Sequence, residues 1–168
     1  MGSGASLSPC RHYRYFLWRS WLDMYCEKGT VLFIMLNPST ADAERDDPTI
    51  RRCIGFAKTW GYSRLEVVNL HPLRTSDPKD LNRYREEWQT PEDNTNERII
   101  QERMAEADLV VAAWGALKWS WLDGRGERVE CMAEEELVDL HVLGLTKHGY
   151  PRHPLYVSKD ITPVRWHP

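Results

Sequence analysis

An apolar run of six residues, 31–36, constrains the fold of this chain more than any other feature. The run Val-Leu-Phe-Ile-Met-Leu has no polar interruption and is followed at once by Asn37 and Pro38. A short apolar run that ends in turn residues is typical of a strand buried on both faces. Pro38 cannot donate a ladder hydrogen bond, and it disfavours helical backbone at Asn37, so the strand ends there. Asn37 is therefore predicted to lie at the carboxyl end of a buried strand.

Three more apolar runs resemble this one, and helical patterns separate the four. Strands are predicted near 31–36, 65–69, 109–113 and 141–145, and helices at 48–59, 94–107 and 129–136. Asp47 before Pro48 indicates the first helix start, and Asn94 with Glu97 predicts a capping box for the second. Alternation of strands and helices favours a parallel sheet with helices on both faces. The sequence therefore predicts an α/β fold with three layers, α/β/α, around a central four-stranded parallel sheet.

The length of 168 residues fits a single domain, which is predicted to span 10–168. Residues 1–9 begin with small, polar side chains and are predicted to be a flexible leader outside the fold. The four cysteines have no zinc or redox spacing, and no apolar run approaches the length of a membrane span. We therefore expect a cytoplasmic monomer with reduced thiols, no metal, no cofactor and no membrane contact.

The net charge of −3 argues against binding nucleic acid through overall positive charge, but it leaves room for a local basic groove. The segment 11–19 interleaves arginines with aromatic residues. Such a segment either touches nucleic acid or forms an edge strand with a solvated basic face. Residues 11–19 are predicted to form a first strand at an edge of the sheet.

The carboxyl ends of parallel strands share one rim, where α/β proteins bind ligands. Asn37, Asn69, the pair Trp114-Gly115 and the loop 147–156 follow the four predicted strands. An amide can read the edge of a base or hold a water, and a histidine can stabilise a developing anion. The alternatives are structural: Asn37 caps a turn, and His153 bonds to backbone. The rim is the predicted site, and no phosphate-binding glycine loop occurs in the sequence.

Two Asn-terminated strands, a Gly-terminated strand and a final His153-Pro154-Leu155 loop resemble the uracil-DNA glycosylase superfamily. The pair Asn37-Pro38 is similar to the first motif of its mismatch-specific branch, although Ser39 replaces a glycine there. This resemblance implies a four-stranded parallel sheet with a base pocket at its carboxyl rim. It implies that Asn37 positions the attacking water, that Asn69 reads the base edge and that His153 faces a base oxygen. The closing loop is two residues shorter than in that superfamily, so the place of the Leu155 wedge is open.

The chain also resembles domain of unknown function family 1643, over nearly its whole length. The matching segments are 36–42, 46–49, Asn69-Leu70, Trp114-Gly115 and 149–156. This family name carries no activity, so it bears on the boundaries of the domain and not on its chemistry.

The leading hypothesis is a DNA glycosylase-like hydrolase that cleaves the N-glycosidic bond of a modified or mismatched pyrimidine. Its partner is single- or double-stranded DNA, held at a local basic rim. The predicted site residues are Asn37 and His153 for catalysis, Asn69, Trp114, Pro38 and Ser39 for the base, Lys147 and Arg152 for phosphates, and Asp42 and Asp47 beside the pocket. The structural alternative for both aspartates is that they cap a turn or a helix. The alternatives are an enzyme acting on free nucleosides or nucleotides, and a non-catalytic nucleic-acid- or protein-binding module.

Overall fold

In the computed structural model, residues 2–84 and 90–166 are described, and they form a mixed sheet covered by helices. The strands are β1 Gly2–Leu7, β2 Arg14–Ser20, β3 Lys28–Met35, β4 Tyr62–Asn69, β5 Leu109–Ala112, β6 Leu140–Val142 and β7 Val164–Arg165. The α-helices are α1 Pro48–Thr59, α2 Pro91–Glu106 and α3 Ser120–Glu135, with short 3-10 helices at Pro78–Tyr84 and Pro154–Tyr156. The predicted α/β class is confirmed.

The sheet contains seven strands in the described ranges, and not the four that the sequence predicted. Their order is β1-β2-β4-β3-β5-β6-β7. Strands β4, β3, β5 and β6 pair in parallel. Antiparallel strands β1 and β2 extend the sheet on one side, and β7 extends it on the other. Two of the added strands are hard to predict, because β1 is built of small residues with two glycines and β7 is only two residues long, and backbone pairing needs no apolar run.

The predicted flexible leader is wrong for residues 2–7, which form β1 and pair antiparallel with β2. The reason lies in the small residues that made the segment look unstructured. A Cβ placed on Gly4 would lie 2.5 Å from the indole nitrogen of Trp18, and one on Gly2 would lie 2.9 Å from the same ring. The glycines therefore let the backbone of β1 lie directly over Trp18.

The predicted edge strand is wrong as well, because β2 lies between β1 and β4 inside the sheet. Leu17 pairs with Val67 and is fully buried. Two arginines of this segment, Arg14 and Arg19, are also buried. The segment therefore presents no solvated basic face along these residues, and its arginines bind to other parts of the chain.

The core lies on both faces of the sheet, as alternate residues of β3 show. Phe33 packs on one face with Phe56 of α1. Leu32 packs on the other face with Ile100 of α2 and Val129 of α3. Helices therefore cover both faces, and only the two edges and the two ends of the strands are left for function.

The first helix begins as predicted, and the other two begin earlier. The Asp47 carboxylate accepts from the backbone N–H of Ile50 and caps α1. Helix α2 is capped by Thr90, which forms a capping box with Asp93 in place of the predicted Asn94. Helix α3 begins at Ser120, nine residues before the predicted start, so Gly124 and Gly126 lie within it. No helix in residues 2–84 and 90–166 combines the length and apolar character needed to cross a membrane.

Candidate active site at the carboxyl ends of the strands

A cavity of about 710 Å³ opens at the carboxyl ends of the parallel strands. Its wall contains residues from five places: the ends of β3, β4 and β5, the start of α1, the loop after β6, the segment 75–78, and Arg14 of β2. The predicted residues that line it are Asn37, Ser39, Asp47, Asn69, Trp114, Lys147, Arg152 and His153. The structure therefore brings together three strand ends and one loop that lie far apart in the sequence.

Asn37 is anchored through its amide nitrogen. Nδ2 donates to the backbone oxygens of Pro38 and Thr75, each at 2.9 Å, and lies 3.5 Å from that of Leu73. These acceptors fix which end of the amide is nitrogen, because the oxygen cannot occupy a place that faces carbonyl groups. Oδ1 has no protein donor among the described residues. Asn37 therefore holds the loop 73–75 and offers the cavity a fixed acceptor.

Asn69 is buried at the end of β4 and is held from two sides. Its Oδ1 accepts from Nη2 of Arg14 at 3.3 Å, and its backbone oxygen accepts from Nδ2 of Asn96 at 2.9 Å. Because the amide oxygen faces a guanidinium, the amide nitrogen is the donor that remains for a ligand. The side chain of Asn69 is therefore oriented to meet an acceptor in the cavity.

His153 lies in the loop after β6, with its ring held by the next turn. Nδ1 accepts from the backbone N–H of Leu155 at 3.3 Å, so Nδ1 carries no proton and the neutral ring carries its proton on Nε2. Burial lowers the pKa of His153, although the charge of Asp47 opposes this. Both effects of the fold, the bond to Nδ1 and the burial, favour a neutral imidazole that donates through Nε2.

Gly115 allows the His153 loop to approach the strand ends. Its φ of +78° is in the left-handed region, and a Cβ there would lie 3.4 Å from the Cβ of His153. The backbone N–H of Gly115 donates to the oxygen of Pro151 at 2.9 Å. A larger residue would strain the turn and crowd His153 at once. The predicted glycine-terminated strand thus has a clear structural reason.

Trp114 is buried in the wall and does not stand free over the cavity. It packs edge-on against Trp166, with ring centroids 5.7 Å apart. A Cβ on Gly126 of α3 would lie 3.6 Å from its ring, so this glycine lets the helix approach. Trp114 therefore presents a fixed apolar surface to a ligand.

The mouth of the cavity carries positive charge and exposed apolar side chains. Lys147 and Arg152 are exposed, and the Nε of Arg152 donates to the backbone oxygen of Leu145 at 3.0 Å. Leu155 and Tyr156 are exposed beside them, with Tyr156 77% accessible. This combination of cations and an exposed aromatic ring suits a nucleic-acid strand.

Two of the predicted residues, Pro38 and Asp42, lie outside the cavity wall. Pro38 is buried, and its backbone oxygen accepts from Asn37 and from the N–H of Thr75. The Asp42 carboxylate accepts from the backbone N–H groups of Glu44 and Arg45, which lower its pKa. Both residues shape loops, because their polar groups are used by neighbouring backbone, and the capping interpretation of Asp42 describes it well.

A buried ion pair holds the segment that follows Asn69 in place. Nη1 of Arg125 in α3 lies 2.8 Å from Oδ1 of Asp93 in α2 and also donates to the backbone oxygen of Leu70. His71 follows Leu70, and its Nδ1 accepts from the N–H of Leu73. The two helices are therefore bound to the segment that leaves β4, directly after Asn69.

Arg14 is a charged residue in the cavity wall that the sequence did not predict. It is 2% exposed, and Nη1 donates to the backbone oxygen of Ala41 at 2.9 Å. In the sequence, Arg14 is marked only by its place beside the apolar residues of a strand. Because the basic residues of this segment were predicted to face solvent, Arg14 was not expected in a buried site. Thr49, Thr75 and Ser76 also line the cavity without having been predicted. In residues 2–84 and 90–166, no three His, Cys, Asp or Glu side chains are arranged to hold a metal ion.

Comparison with known proteins gives one match. The model of a family described as "Protein of unknown function (DUF1643)" matches residues 14–155, which include every residue of the cavity wall except Tyr156. No curated protein and no solved structure matches the chain.

Proposed function

This chain belongs to the DUF1643 family, and we propose that it hydrolyses the N-glycosidic bond of a modified or mismatched pyrimidine in DNA. The observation that carries the proposal is the hydrogen-bonding state of two residues on one cavity. Asn37 offers a fixed acceptor, and neutral His153 offers a donor. Hydrolysis of a glycosidic bond needs an acceptor for water and a donor for the departing base.

The resemblance to the uracil-DNA glycosylase superfamily supports the same reaction. That resemblance implies a base pocket at the carboxyl rim of parallel strands, with Asn37, Asn69 and His153 around it. The four parallel strands and the shared cavity are consistent with this arrangement. The fold assignment to that superfamily is part of the proposal.

In the proposed reaction, the bond between the sugar C1′ and the base nitrogen breaks, and its electron pair leaves with the base. The oxygen of water bonds to C1′, one water proton passes to solvent, and the base anion takes up a proton from solvent. Asn37 Oδ1 orients the water, and Nε2–H of His153 donates to the base oxygen on which negative charge develops. A preorganised donor of this kind contributes about 10²–10³ in rate.

Asn69 and Trp114 bind the base. The amide nitrogen of Asn69 donates to an oxygen on the edge of the base, since Arg14 occupies the amide oxygen. The apolar surface of Trp114 packs against the extruded base. Asp47, fixed as the cap of α1, adds negative potential on the side of the sugar, where positive character develops. Ser39 completes the wall on that loop.

Charge and shape favour DNA over the two alternatives. The cavity wall contains Arg14, Lys147 and Arg152 against the single carboxylate of Asp47. A positive wall in a chain of net charge −3 fits a polyanion held locally. A closed and uncharged pocket would favour an enzyme of free nucleosides, and a pocket filled by its own side chains would favour a binding module that has lost its reaction, whereas this cavity is open at a positive mouth and has a volume of about 710 Å³.

The test is incubation of the protein with oligonucleotides that each carry one modified or mismatched pyrimidine, followed by quantification of abasic sites. We expect single-turnover base release from at least one of them. Asn37→Ala and His153→Ala should each slow the release by about 10²-fold or more while the protein stays folded. Matched variants are Asn94→Ala and His148→Ala, whose exposed side chains do not line the cavity.

Two results would overturn the proposal. One is the absence of abasic sites with every oligonucleotide in the panel. The other is base release by Asn37→Ala and His153→Ala at the rate of the parent protein, because contamination or a different site would then account for the activity.

A further inference from the structure

We propose that Arg14 and the amino end of α1 form an anion-binding subsite in the cavity, which takes a carboxylate or phosphate group of the ligand. The subsite deepens the proposed function, and the choice of pyrimidine ligands as probes rests on that function. The chemistry of the subsite itself rests on the contacts of Arg14 and on the helix that faces it.

The first observation is that the guanidinium of Arg14 is buried on the cavity without an ion-pair partner among the described residues. The side chain is 2% exposed. Nη1 donates to a backbone oxygen and Nη2 to an amide oxygen, and both acceptors are uncharged. Nε is buried and has no acceptor. A buried cation with neutral partners has lost much of its hydration, and an anion in the cavity would compensate that loss.

The second observation is that α1 points its amino end at the same cavity. Asp47, Thr49 and Ile50 of its first turn line the wall. The amino end of a twelve-residue helix carries partial positive charge and N–H groups without intrahelical acceptors. Pro48 has no N–H, and Asp47 accepts from Ile50, so the N–H of Thr49 is left for a ligand.

Charges of both signs surround Arg14, since Asp47 and Asp42 oppose Arg74 and Arg19. Asp47 is the acidic residue that acts most strongly on Arg14, but the two form no ion pair in the described part of the chain. Burial lowers the pKa of Arg14 to about 10, so the guanidinium stays charged at neutral pH. Lys147 and Arg152 add positive charge at the mouth. These positive charges, inside the cavity and at its mouth, thus favour a ligand that carries an anionic oxygen.

The test uses two matched pairs of ligands and isothermal titration calorimetry. One pair is orotate and uracil, which differ by a carboxylate, and the other is deoxyuridine monophosphate and deoxyuridine, which differ by a phosphate. We expect the anionic member of at least one pair to bind about 10-fold or more tightly than its neutral partner. The pair that shows the preference identifies the carboxylate or the phosphate as the source of the anion.

Arg14→Met should remove the preference, and Arg14→Lys should keep part of it, with thermal unfolding recorded to show that both variants fold. A second measurement covers the case in which Arg14→Met does not fold. In the parent protein, the preference should persist at roughly 0.5 M salt, because a buried cation is screened far less than exposed lysines.

Three results would overturn the subsite: equal affinity for both members of both pairs, a preference that survives in folded Arg14→Met, or a preference that disappears at high salt. Failure of the subsite and failure of the proposed function are distinguishable. If orotate binding depends on Arg14 but no oligonucleotide loses a base, the hydrolase proposal falls and the subsite stands. If bases are released but neither pair of ligands shows a preference, the subsite proposal falls and the hydrolase proposal stands.

Discussion

Nη2 of Arg14 lies 3.3 Å from Oδ1 of Asn69, so a buried cation on β2 sets the orientation of the amide at the end of β4. An amide that could rotate would offer a ligand either its nitrogen or its oxygen. The guanidinium removes that choice, since it can only donate and therefore pairs with the amide oxygen. The antiparallel strand β2 therefore contributes to the site through its amino end, which lies beside the carboxyl end of β4 because the two strands run in opposite directions.

Base release should depend on the protonation of His153. Burial lowers the pKa of this histidine below its usual value of 6.5. His153 therefore stays neutral to lower pH in the folded protein than in the unfolded chain. The neutral ring contributes fully to stability above pH 6.5, and this contribution is lost as the pH falls through the lowered pKa. We expect single-turnover rates that are flat at neutral pH and fall on acidification with a midpoint below 6.5.

The His148→Ala variant should keep this profile, because His148 is exposed and outside the cavity wall. The His153→Ala variant should lose the acidic inflection together with most of the rate. Rates that rise on acidification would mean that a charged imidazole is the active form, and a midpoint above 6.5 would contradict the lowered pKa of His153.

Asn37→Asp should destabilise the fold more than Asn37→Ala does. Alanine loses the bonds to the backbone oxygens of Pro38 and Thr75, which leaves acceptors unpaired and costs about 1–3 kcal/mol. Aspartate places a carboxylate oxygen against those same oxygens, so repulsion adds to the loss at neutral pH. Denaturant unfolding measures both effects.

Acidification provides an internal check on Asn37→Asp, because a protonated carboxyl can donate and should recover part of the stability. The exposed Asn94→Asp change should alter stability by no more than about 0.5 kcal/mol. If Asn37→Asp were as stable as the parent protein, the amide nitrogen would not face these carbonyl groups.

Lys147→Ala and Arg152→Ala should each weaken DNA binding by an amount that depends on the salt concentration. Each exposed cation that contacts a phosphate adds about one unit to the slope of log affinity against log salt. Fluorescence anisotropy with a labelled oligonucleotide at several salt concentrations measures this slope. Each variant should bind more weakly at low salt and approach the parent protein at high salt.

The matched variant for this measurement is Arg98→Ala, whose side chain is exposed on α2 and pairs with Glu102 away from the cavity. Equal slopes for all four proteins would place the DNA on another surface.

The buried pair of Asp93 and Arg125 should be far more important to stability than the exposed pair of Arg98 and Glu102. Both side chains of the buried pair are 7% accessible. Removal of one partner leaves a buried charge, and Arg125→Ala should cost about 3–5 kcal/mol. Arg98→Ala should cost less than about 0.5 kcal/mol.

A double-mutant cycle of Asp93→Ala and Arg125→Ala separates the pairwise interaction from packing. We expect the double variant to be less destabilised than the sum of the single variants, because no unpaired charge remains in it. Strict additivity would contradict the ion pair that joins α2 to α3.

Much of the candidate site could be predicted because strand polarity was readable from the sequence. Apolar runs ending at Asn37 and Asn69 predicted that both amides share a rim with His153, and all three line one cavity. Which chemistry they perform stays a prediction. Pro38, predicted to contact the base, lies outside the cavity wall, and Asp42 binds the backbone of its own loop as its capping interpretation expected. Adjacency along the chain does not determine whether a side chain faces the cavity or the backbone of its own loop.

Sequence by itself determined the four apolar strands, the start of α1 at Asp47 and the asparagines at two strand ends. These features depend on local periodicity and capping, which act over a few residues. Only the tertiary structure decided that residues 2–7 join the sheet, that α3 continues through its glycines, and that Arg14 reaches Asn69 from a neighbouring strand. The physical reason is that pairing, close packing against Trp18 or Trp114, and the burial of a charge all depend on partners distant in sequence, which no local pattern specifies.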